Sequence, residues 1–232
     1  MSAGQRYAPL LRTSRWFSSL PAELQDQMMD AAVLRQLAAG QQLYGRGGPP
    51  CGCYCVLEGA VGVTGIGAAG KEMLVAHIDP PKWFGETTLF DDLPRLQAAH
   101  AEIPSLLLHV PQPAMESILR GQPAYWHDFG RLVAQKLRLA LATIEDMALS
   151  PAAVRLPRRL LLLAEGYGDA LVANPRLKVH QEQLAMMLSL SRQTANQILQ
   201  DLAARGVLRL GYGEIEILDF DLLRQAAGCG CG

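Results

Sequence analysis

The sequence predicts an α+β protein with an N-terminal jelly roll, a long helix and a C-terminal winged helix-turn-helix. Short apolar runs broken by glycine and proline fill residues 40–110, a pattern typical of short β-strands. A long helical repeat follows Pro123, and residues 179–206 contain two short amphipathic patterns around a tight turn. We place the jelly roll at residues 1–122, the long helix and a hinge at 123–150, and the winged helix-turn-helix at 151–232.

The composition is that of a folded globular protein. Half of the 232 residues are hydrophobic, 19% are charged and the formal net charge is −1. No run approaches the roughly 18 consecutive apolar residues of a membrane helix, and the N-terminus lacks a signal-peptide pattern. We therefore expect a cytoplasmic protein. The five cysteines, an odd number without an export signal, do not indicate a disulfide framework.

The first two segments differ in periodicity. Within residues 9–39, apolar residues recur near helical spacing after Pro21, namely Leu24, Met28, Val33 and Leu37, which predicts short helices. Beyond Gly40, four short apolar runs predict strands at residues 53–57, 60–63, 73–78 and 106–110. Many short strands with regular turns are typical of a jelly roll or another β-sandwich.

A long helix is predicted from Pro123 to about Leu149. Its apolar residues follow steps of seven, four and three: Trp126, Val133, Leu137, Ala140, Ile144 and Met147. That spacing is typical of the seam of a two-stranded coiled coil, so we expect a homodimer interface along it. Packing of this stripe against the protein's own β-domain is the alternative. Ser150 and Pro151 end the helix and form a hinge, because a residue before proline disfavours helical geometry.

Residues 179–206 predict a helix, a tight turn at 188–190 and a second helix. Ser191 can cap the second helix, whose first two turns then expose polar side chains. The candidate DNA-binding residues are Ser191, Arg192, Gln193, Thr194, Asn196 and Gln197. Arginine can bond a guanine edge, glutamine or asparagine can bond an adenine edge, and a helix fits the major groove. A solvated polar face is the alternative.

A β-hairpin is predicted directly after this motif. Two short apolar runs flank Gly211, Tyr212 and Gly213, which is typical of a hairpin with a glycine-rich turn. Such a wing could contact the phosphate backbone. Between Pro175 and Arg209, five basic residues stand against two acidic ones, a modest positive patch of the kind that attracts phosphates. The motif and hairpin together predict a winged helix-turn-helix.

Taken in this order, the motifs resemble the CRP/FNR family of bacterial transcriptional regulators. Gly40, Leu43, Gly47 and residues 54–59 resemble its early strands, residues 83–86 and 89–90 its phosphate-binding cassette, and residues 190–194 its recognition helix. The resemblance implies an allosteric homodimer on pseudo-palindromic double-stranded DNA, with half-sites about 34 Å apart, and RNA polymerase as a partner. No catalytic motif is present, so we do not expect an enzyme.

The resemblance also implies an effector site in the jelly roll, formed by Gly85, Glu86, Thr87, Arg95, Leu96 and Gln97. In cyclic-AMP-binding members a glutamate holds the ribose hydroxyl and an arginine pairs with the phosphate. Glu86 matches the first role, and Arg95 matches the second if the intervening loop is one residue shorter. Leu96 replaces the usual hydroxyl residue, and the hydroxyls that hold adenine correspond to Ala140 and Leu141. Cyclic AMP or cyclic GMP is therefore a candidate effector. The alternative is that Arg95 is an exposed loop arginine and that nearby backbone amides satisfy the charge of Glu86.

The cysteines motivate a rival hypothesis, a redox- or metal-responsive regulator. Cys51, Cys53 and Cys55 alternate, so on a strand they would share one face, and Cys229 and Cys231 repeat the spacing. Thiolates bind zinc and iron–sulfur clusters. The iron–sulfur members of the family, however, have an N-terminal cysteine cluster, and residues 1–50 contain no cysteine. Buried free thiols are the ordinary alternative, and we expect no metal site.

Overall fold

A computed structural model of the chain describes residue 2 and residues 4–66, 72–169 and 173–228. The chain divides into two compact units, with the boundary between Lys136 and Leu137. Each unit has its own buried residues and is described by itself. Within the described ranges, no helix has both the length and the apolar character needed to cross a membrane.

Three short helices open the first unit: α1 (Ala8–Leu11), α2 (Arg15–Ser18) and α3 (Ala22–Ala31). Ser14 caps α2 by accepting a hydrogen bond from the backbone N–H of Phe17. The helical prediction for residues 9–39 is thus confirmed as far as α3 but is wrong beyond it. Residues Val33–Leu37 form strand β1 instead, because their backbone groups pair with a later antiparallel strand and tertiary pairing overrides local periodicity.

Eight strands form the jelly roll within the described residues. They are β1, β2 (Gln42–Tyr44), β3 (Gly52–Glu58), β4 (Val61–Ile66), β5 (Glu72–Ile78), β6 (Trp83–Phe84), β7 (Ala98–Ala101) and β8 (Ser105–Pro111). One antiparallel sheet has the order β1-β8-β3-β6 and the other has the order β2-β7-β4-β5. The predicted β-sandwich is therefore confirmed. A short helix, α4 (Thr88–Asp91), lies between β6 and β7.

Strand β3 is buried on both faces. Since successive side chains point to opposite faces of a strand, its residues enter two separate clusters. Cys53 and Cys55 pack in a cluster with the N-terminal helices, whereas Tyr54 and Val56 pack in a second cluster between the sheets. Helix α5 (Gln112–Gly121) follows β8 and adds its buried Met115 to the first cluster. The jelly roll thus has one core between its sheets and another beneath its helices.

The long helix, α6 (Tyr125–Leu149), has 25 residues and agrees closely with the prediction. In the first unit, Tyr125, Phe129 and Leu132 are buried in the cluster that contains the N-terminal helices. The indole N–H of Trp16 donates a hydrogen bond of 2.9 Å to the backbone oxygen of Asp128. These contacts anchor the start of α6 to the jelly roll.

The second unit contains the winged helix-turn-helix. Its elements are α7 (Ala152–Ala164), β9 (Arg176–Leu177), α8 (Gln181–Leu188), α9 (Arg192–Ala204), β10 (Leu208–Leu210), β11 (Ile215–Ile217) and α10 (Phe220–Ala226). The strands form an antiparallel sheet of order β10-β11-β9. The two predicted helices and the hairpin are confirmed, while β9 and α10 were not predicted.

Candidate functional site

The turn between α8 and α9 is fixed by backbone geometry and a cap. Ser189 ends α8 in the left-handed region with φ of 53°, and the backbone N–H of Leu190 donates to the oxygen of Ala185 at 2.9 Å. Ser191 caps α9 through its hydroxyl, which accepts from the backbone N–H of Thr194 at 3.0 Å. These bonds determine where α9 begins.

Helix α9 is sharply amphipathic. Ala195, Leu199 and Leu202 are buried in the second unit. All six candidate DNA-binding residues are exposed: Ser191, Arg192, Gln193, Thr194, Asn196 and Gln197. The Gln197 amide donates to the Asp201 carboxylate at 2.9 Å, so this side chain is directed along the helix surface. The exposed face is polar and is therefore suited to hydrogen bonding with base edges.

The wing is a short hairpin with a fully exposed aromatic tip. Its turn closes through the backbone N–H of Gly211, which donates to Glu214 at 2.8 Å, and Tyr212 at the tip is fully exposed. On the strands, the Glu216 carboxylate lies 2.8 Å from the Arg209 guanidinium and 3.5 Å from that of Arg176. One carboxylate between two arginines leaves a net positive charge on this group of three side chains, which favours contact with phosphate.

In the jelly roll, Glu86 is only 2% exposed and has a charged partner. The Lys136 ammonium group donates to the Glu86 carboxylate at 2.8 Å and to the backbone oxygen of Trp83 at 2.9 Å. A buried carboxylate needs such a partner because desolvation of an unpaired charge is costly. Lys136 was missed at the sequence level because it lies 50 residues away along the chain, and spacing does not predict that contact.

Arg95 is also buried, with 4% of its surface exposed. Its guanidinium donates at 2.7 Å to the backbone oxygens of both Gly85 and Gly52, and at 3.0 Å to the Cys51 sulfur. The guanidinium also lies 4.5 Å from the centre of the Tyr44 ring, within the range of a cation–π interaction. The alternative of an exposed loop arginine is wrong. Protein groups thus occupy donors on both Nη1 and Nη2, while Nε is buried without a hydrogen-bond partner among the described residues.

The remaining candidate effector residues surround this pair unequally. Gly85 has a φ of +92°, and a Cβ atom there would lie 2.9 Å from the Gly52 oxygen, so only glycine fits without strain. Thr87 is exposed and Gln97 is partly exposed. Leu96 is 71% exposed and offers no hydrogen-bonding group beside Arg95. The candidate site thus contains the glutamate and the arginine that the resemblance implies, but no hydroxyl at the position that follows the arginine.

The three jelly-roll cysteines do not share one face. Cys53 and Cys55 point to the helical cluster, whereas Cys51 packs on the cluster between the sheets. That prediction is wrong because Cys51 precedes β3 and Gly52, with φ of +98°, interrupts the alternation. Burial raises the pKa of the Cys53 thiol, which disfavours the reactive thiolate.

No metal-binding group is evident in the part of the chain that the structure describes. Within those ranges, no set of three or more His, Cys, Asp or Glu side chains is arranged to hold a metal ion. His77 is buried on β5 and its Nδ1 lies 2.5 Å from the Glu102 carboxylate. Cys229 and Cys231 lie outside the described residues.

The predicted dimer stripe on α6 is exposed over its C-terminal part. Leu137 and Ile144 are 57% and 62% exposed, and Ala140 between them is exposed as well. Val133 and Met147 are partly buried. Trp126 instead packs on the helical cluster of its own unit and contacts the Phe90 ring at 5.1 Å. The alternative of intramolecular packing therefore applies to the first turn of the stripe.

Two models of known protein families match the chain, one in each unit. The cyclic nucleotide-binding domain model matches residues 34–122, and the Crp-like helix-turn-helix domain model matches residues 154–226. The chain is 28% identical to the cyclic AMP receptor protein of Thermus thermophilus over 94% of this chain and 98% of the relative.

Two solved structures share the fold. TTHA1359, a CRP/FNR-family transcriptional regulator from Thermus thermophilus, has a TM-score of 0.63 and 27% identity over 84% of this chain and 98% of its own. FixK2 from Bradyrhizobium japonicum has a TM-score of 0.75 and 20% identity over 84% of this chain and 96% of its own.

A ligand-binding jelly roll followed by a helix-turn-helix whose polar face is exposed defines a DNA-binding transcriptional regulator. Relatives of the chain include transcriptional regulators. The chain belongs to the CRP/FNR family.

Proposed function

We propose that this regulator binds pseudo-palindromic DNA as a homodimer, with α9 of each protomer in the major groove. The observation that supports this most directly is the polar, exposed face formed by the first two turns of α9. Its opposite face contains the buried Ala195, Leu199 and Leu202, so the polar side chains remain available to DNA. Two such helices on a symmetric dimer fit half-sites about 34 Å apart.

The residues of α9 have distinct proposed roles. Arg192 bonds a guanine edge bidentately, while Gln193 and Asn196 bond adenine edges. Gln197 first exchanges its hydrogen bond with Asp201 for one with a base. Ser191 and Thr194 contact phosphate through their hydroxyls. The two arginines on either side of Glu216 add sequence-independent contacts with phosphate.

Selection from random DNA with the purified protein tests this function, and the Arg192→Ala variant tests the geometry. Loss of a bidentate contact should weaken binding to the selected site by about 1–3 kcal/mol. Arg205→Ala is the matched control. Arg205 is exposed at the far end of α9, and its substitution removes the same positive charge. Equal effects of the two substitutions would show that α9 does not contact bases through Arg192.

We propose that the effector is a cyclic nucleotide bound weakly at Glu86 and Arg95. The matching domain model and the name of the Thermus thermophilus relative support this class of effector. Binding would have to exchange the contacts of Glu86 with Lys136 and of Arg95 with Gly85 and Gly52 for contacts with the ribose and phosphate. The cost of this exchange, together with Leu96, explains the low expected affinity.

Leu96→Ser should restore the missing hydroxyl. A hydrogen bond to a charged group contributes about 1.5–3 kcal/mol, so we expect cyclic AMP or cyclic GMP to bind at least about tenfold more tightly to the variant. Isothermal titration calorimetry measures this change. Leu93→Ser is the control, because Leu93 is an exposed leucine of the same loop. An affinity that Leu96→Ser leaves unchanged for both nucleotides would contradict the proposed effector.

One further partner and a location complete the proposal. The family resemblance makes RNA polymerase a candidate partner for the bound dimer. A regulator of chromosomal genes would act in the cytoplasm of its bacterial cell.

A further inference from the structure

The junction between α6 and α7 is bridged by a single arginine. Helix α6 ends at Leu149, Ser150 and Pro151 follow, and α7 begins at Ala152. Arg158 lies in the middle of α7, and its guanidinium contacts groups on both sides of this junction. All of these residues belong to the second unit.

The contacts of Arg158 connect three helices. Nη1 donates to the carboxylate of Asp146, in the last turn of α6, and to the Ser150 hydroxyl at 3.2 Å. Nε donates to the backbone oxygen of Ala227 at 2.7 Å, just past the end of α10. The Ser150 hydroxyl also lies 3.5 Å from the Asp146 carboxylate. We call these four residues, Asp146, Ser150, Arg158 and Ala227, the Arg158 latch.

The chemistry of each contact favours arginine. The guanidinium is a rigid planar fork with several donors, so it can hold two partners in fixed directions at once. Ala227 presents its carbonyl at the negative end of α10, where a cation is favourable. Gly228 turns the chain away with φ of +69°, so the helix ends there. The Arg158 and Asp146 side chains are partly buried, which reduces the solvent screening of their interaction.

Helix α7 connects the latch to the DNA-binding residues. It packs against α8, α9 and α10, and Leu156 and Leu160 on α7 are fully buried. A close-packed interface transmits a displacement because it contains few voids. A restraint on α7 relative to the end of α6 is therefore also a restraint on α9.

We propose that Arg158 is a positioning residue that fixes the helix-turn-helix relative to the end of α6 and thereby presents α9 to DNA. The inference rests on the proposed function, because it assumes that α9 binds DNA. Arg158 itself does not contact the bases. Its role is to remove freedom at the Ser150–Pro151 hinge that would otherwise have to be lost on binding.

Three variants test the latch: Arg158→Gln, Arg158→Lys and Asp146→Asn. Each should lower affinity for the selected DNA site by about tenfold, because the hinge must then be ordered on binding. Arg158→Lys keeps the charge but cannot hold Asp146 and Ala227 together, so it should resemble Arg158→Gln. Glu145→Gln is the matched control for Asp146→Asn, since Glu145 is the exposed neighbouring acid on α6, and it should have no effect.

Amide hydrogen exchange provides a second readout. The three variants should exchange faster at residues 146–152 and 224–228 than the wild type, whereas the amides of α9 should be unchanged. A merely electrostatic contribution to stability would instead leave Arg158→Lys like the wild type. Unaltered or increased DNA affinity in all three variants would overturn the latch. Failure of the wild type to select any DNA site would overturn the proposed function itself.

Discussion

At the scale of single residues, His109 shows how burial determines a protonation state. Its Nε2 donates to the Cys51 oxygen at 2.6 Å, and its ring stacks on Tyr54 with centres 4.3 Å apart. Burial lowers the pKa of His109. Its Nδ1 is buried without a hydrogen-bond partner among the described residues, so a second proton there would have no acceptor. The neutral imidazole is therefore part of the folded core.

This state predicts a loss of stability in acid. The folded pKa of His109 lies below the unfolded value of about 6.5, so the unfolded chain binds a proton first as the pH falls. The stabilising contribution is complete above about pH 6.5 and declines below it. Urea unfolding at pH 7.5 and 5.5 measures this, with His109→Gln expected to reduce the pH dependence. His127→Gln, at an exposed position, is the control and should change nothing.

The sequence predicted Glu86 and Arg95 as candidate effector residues but not the partners that the structure gives them. Glu86 and Arg95 were found through their order in a motif, whereas Lys136, Gly52 and Cys51 reach them only after folding. Such contacts depend on how strands and helices pack, which local spacing does not contain. The α9 residues were predicted better because their exposure follows directly from helical periodicity and the Ser191 cap.

At the scale of elements, Gly52 is required for the path of β3. Its φ is +98°, and a Cβ atom there would lie 2.1 Å from the Val110 oxygen. We expect Gly52→Ala to destabilise the protein by about 2–5 kcal/mol, through backbone strain and overpacking together. Gly130→Ala is the contrasting control, because that helical glycine has open space around it and alanine favours a helix by about 0.8–1 kcal/mol. The midpoint of denaturant unfolding should therefore fall for Gly52→Ala and rise for Gly130→Ala. Equal shifts of the two midpoints would contradict the role of Gly52.

The success of element prediction followed length and caps. Helices α6, α8 and α9 were predicted because their apolar repeats are long or their ends are marked by serine or proline. Strands β2, β6 and β9 have two or three residues, too few for a periodic pattern to develop. Strands β10 and β11 are equally short, but the glycine-rich turn between them predicted their hairpin. For β1, Val33 and Leu37 happened to continue the helical spacing of α3, and the pairing with β8 decided the outcome.

At the scale of the whole molecule, the exposed apolar stripe on α6 favours a dimer over a monomer. Leu137 and Ile144 stay largely exposed in the single chain, and their spacing matches the seam of a coiled coil. Full burial of one large aliphatic side chain is worth about 1.5–3 kcal/mol. Four such side chains in a symmetric pair therefore supply a substantial part of the association free energy.

We accordingly expect Leu137→Glu combined with Ile144→Glu to convert the dimer to a monomer, because the substitutions would place like charges opposite each other across the symmetry axis. Ala142→Glu combined with Glu145→Asp is the control, since both positions are exposed on α6 away from the stripe. Sedimentation equilibrium measures the oligomeric state. The double variant should also bind a palindromic site no more tightly than a single half-site, because linkage of two recognition helices provides the avidity. A dimer that persists with unchanged affinity in the double variant would place the interface elsewhere on the molecule.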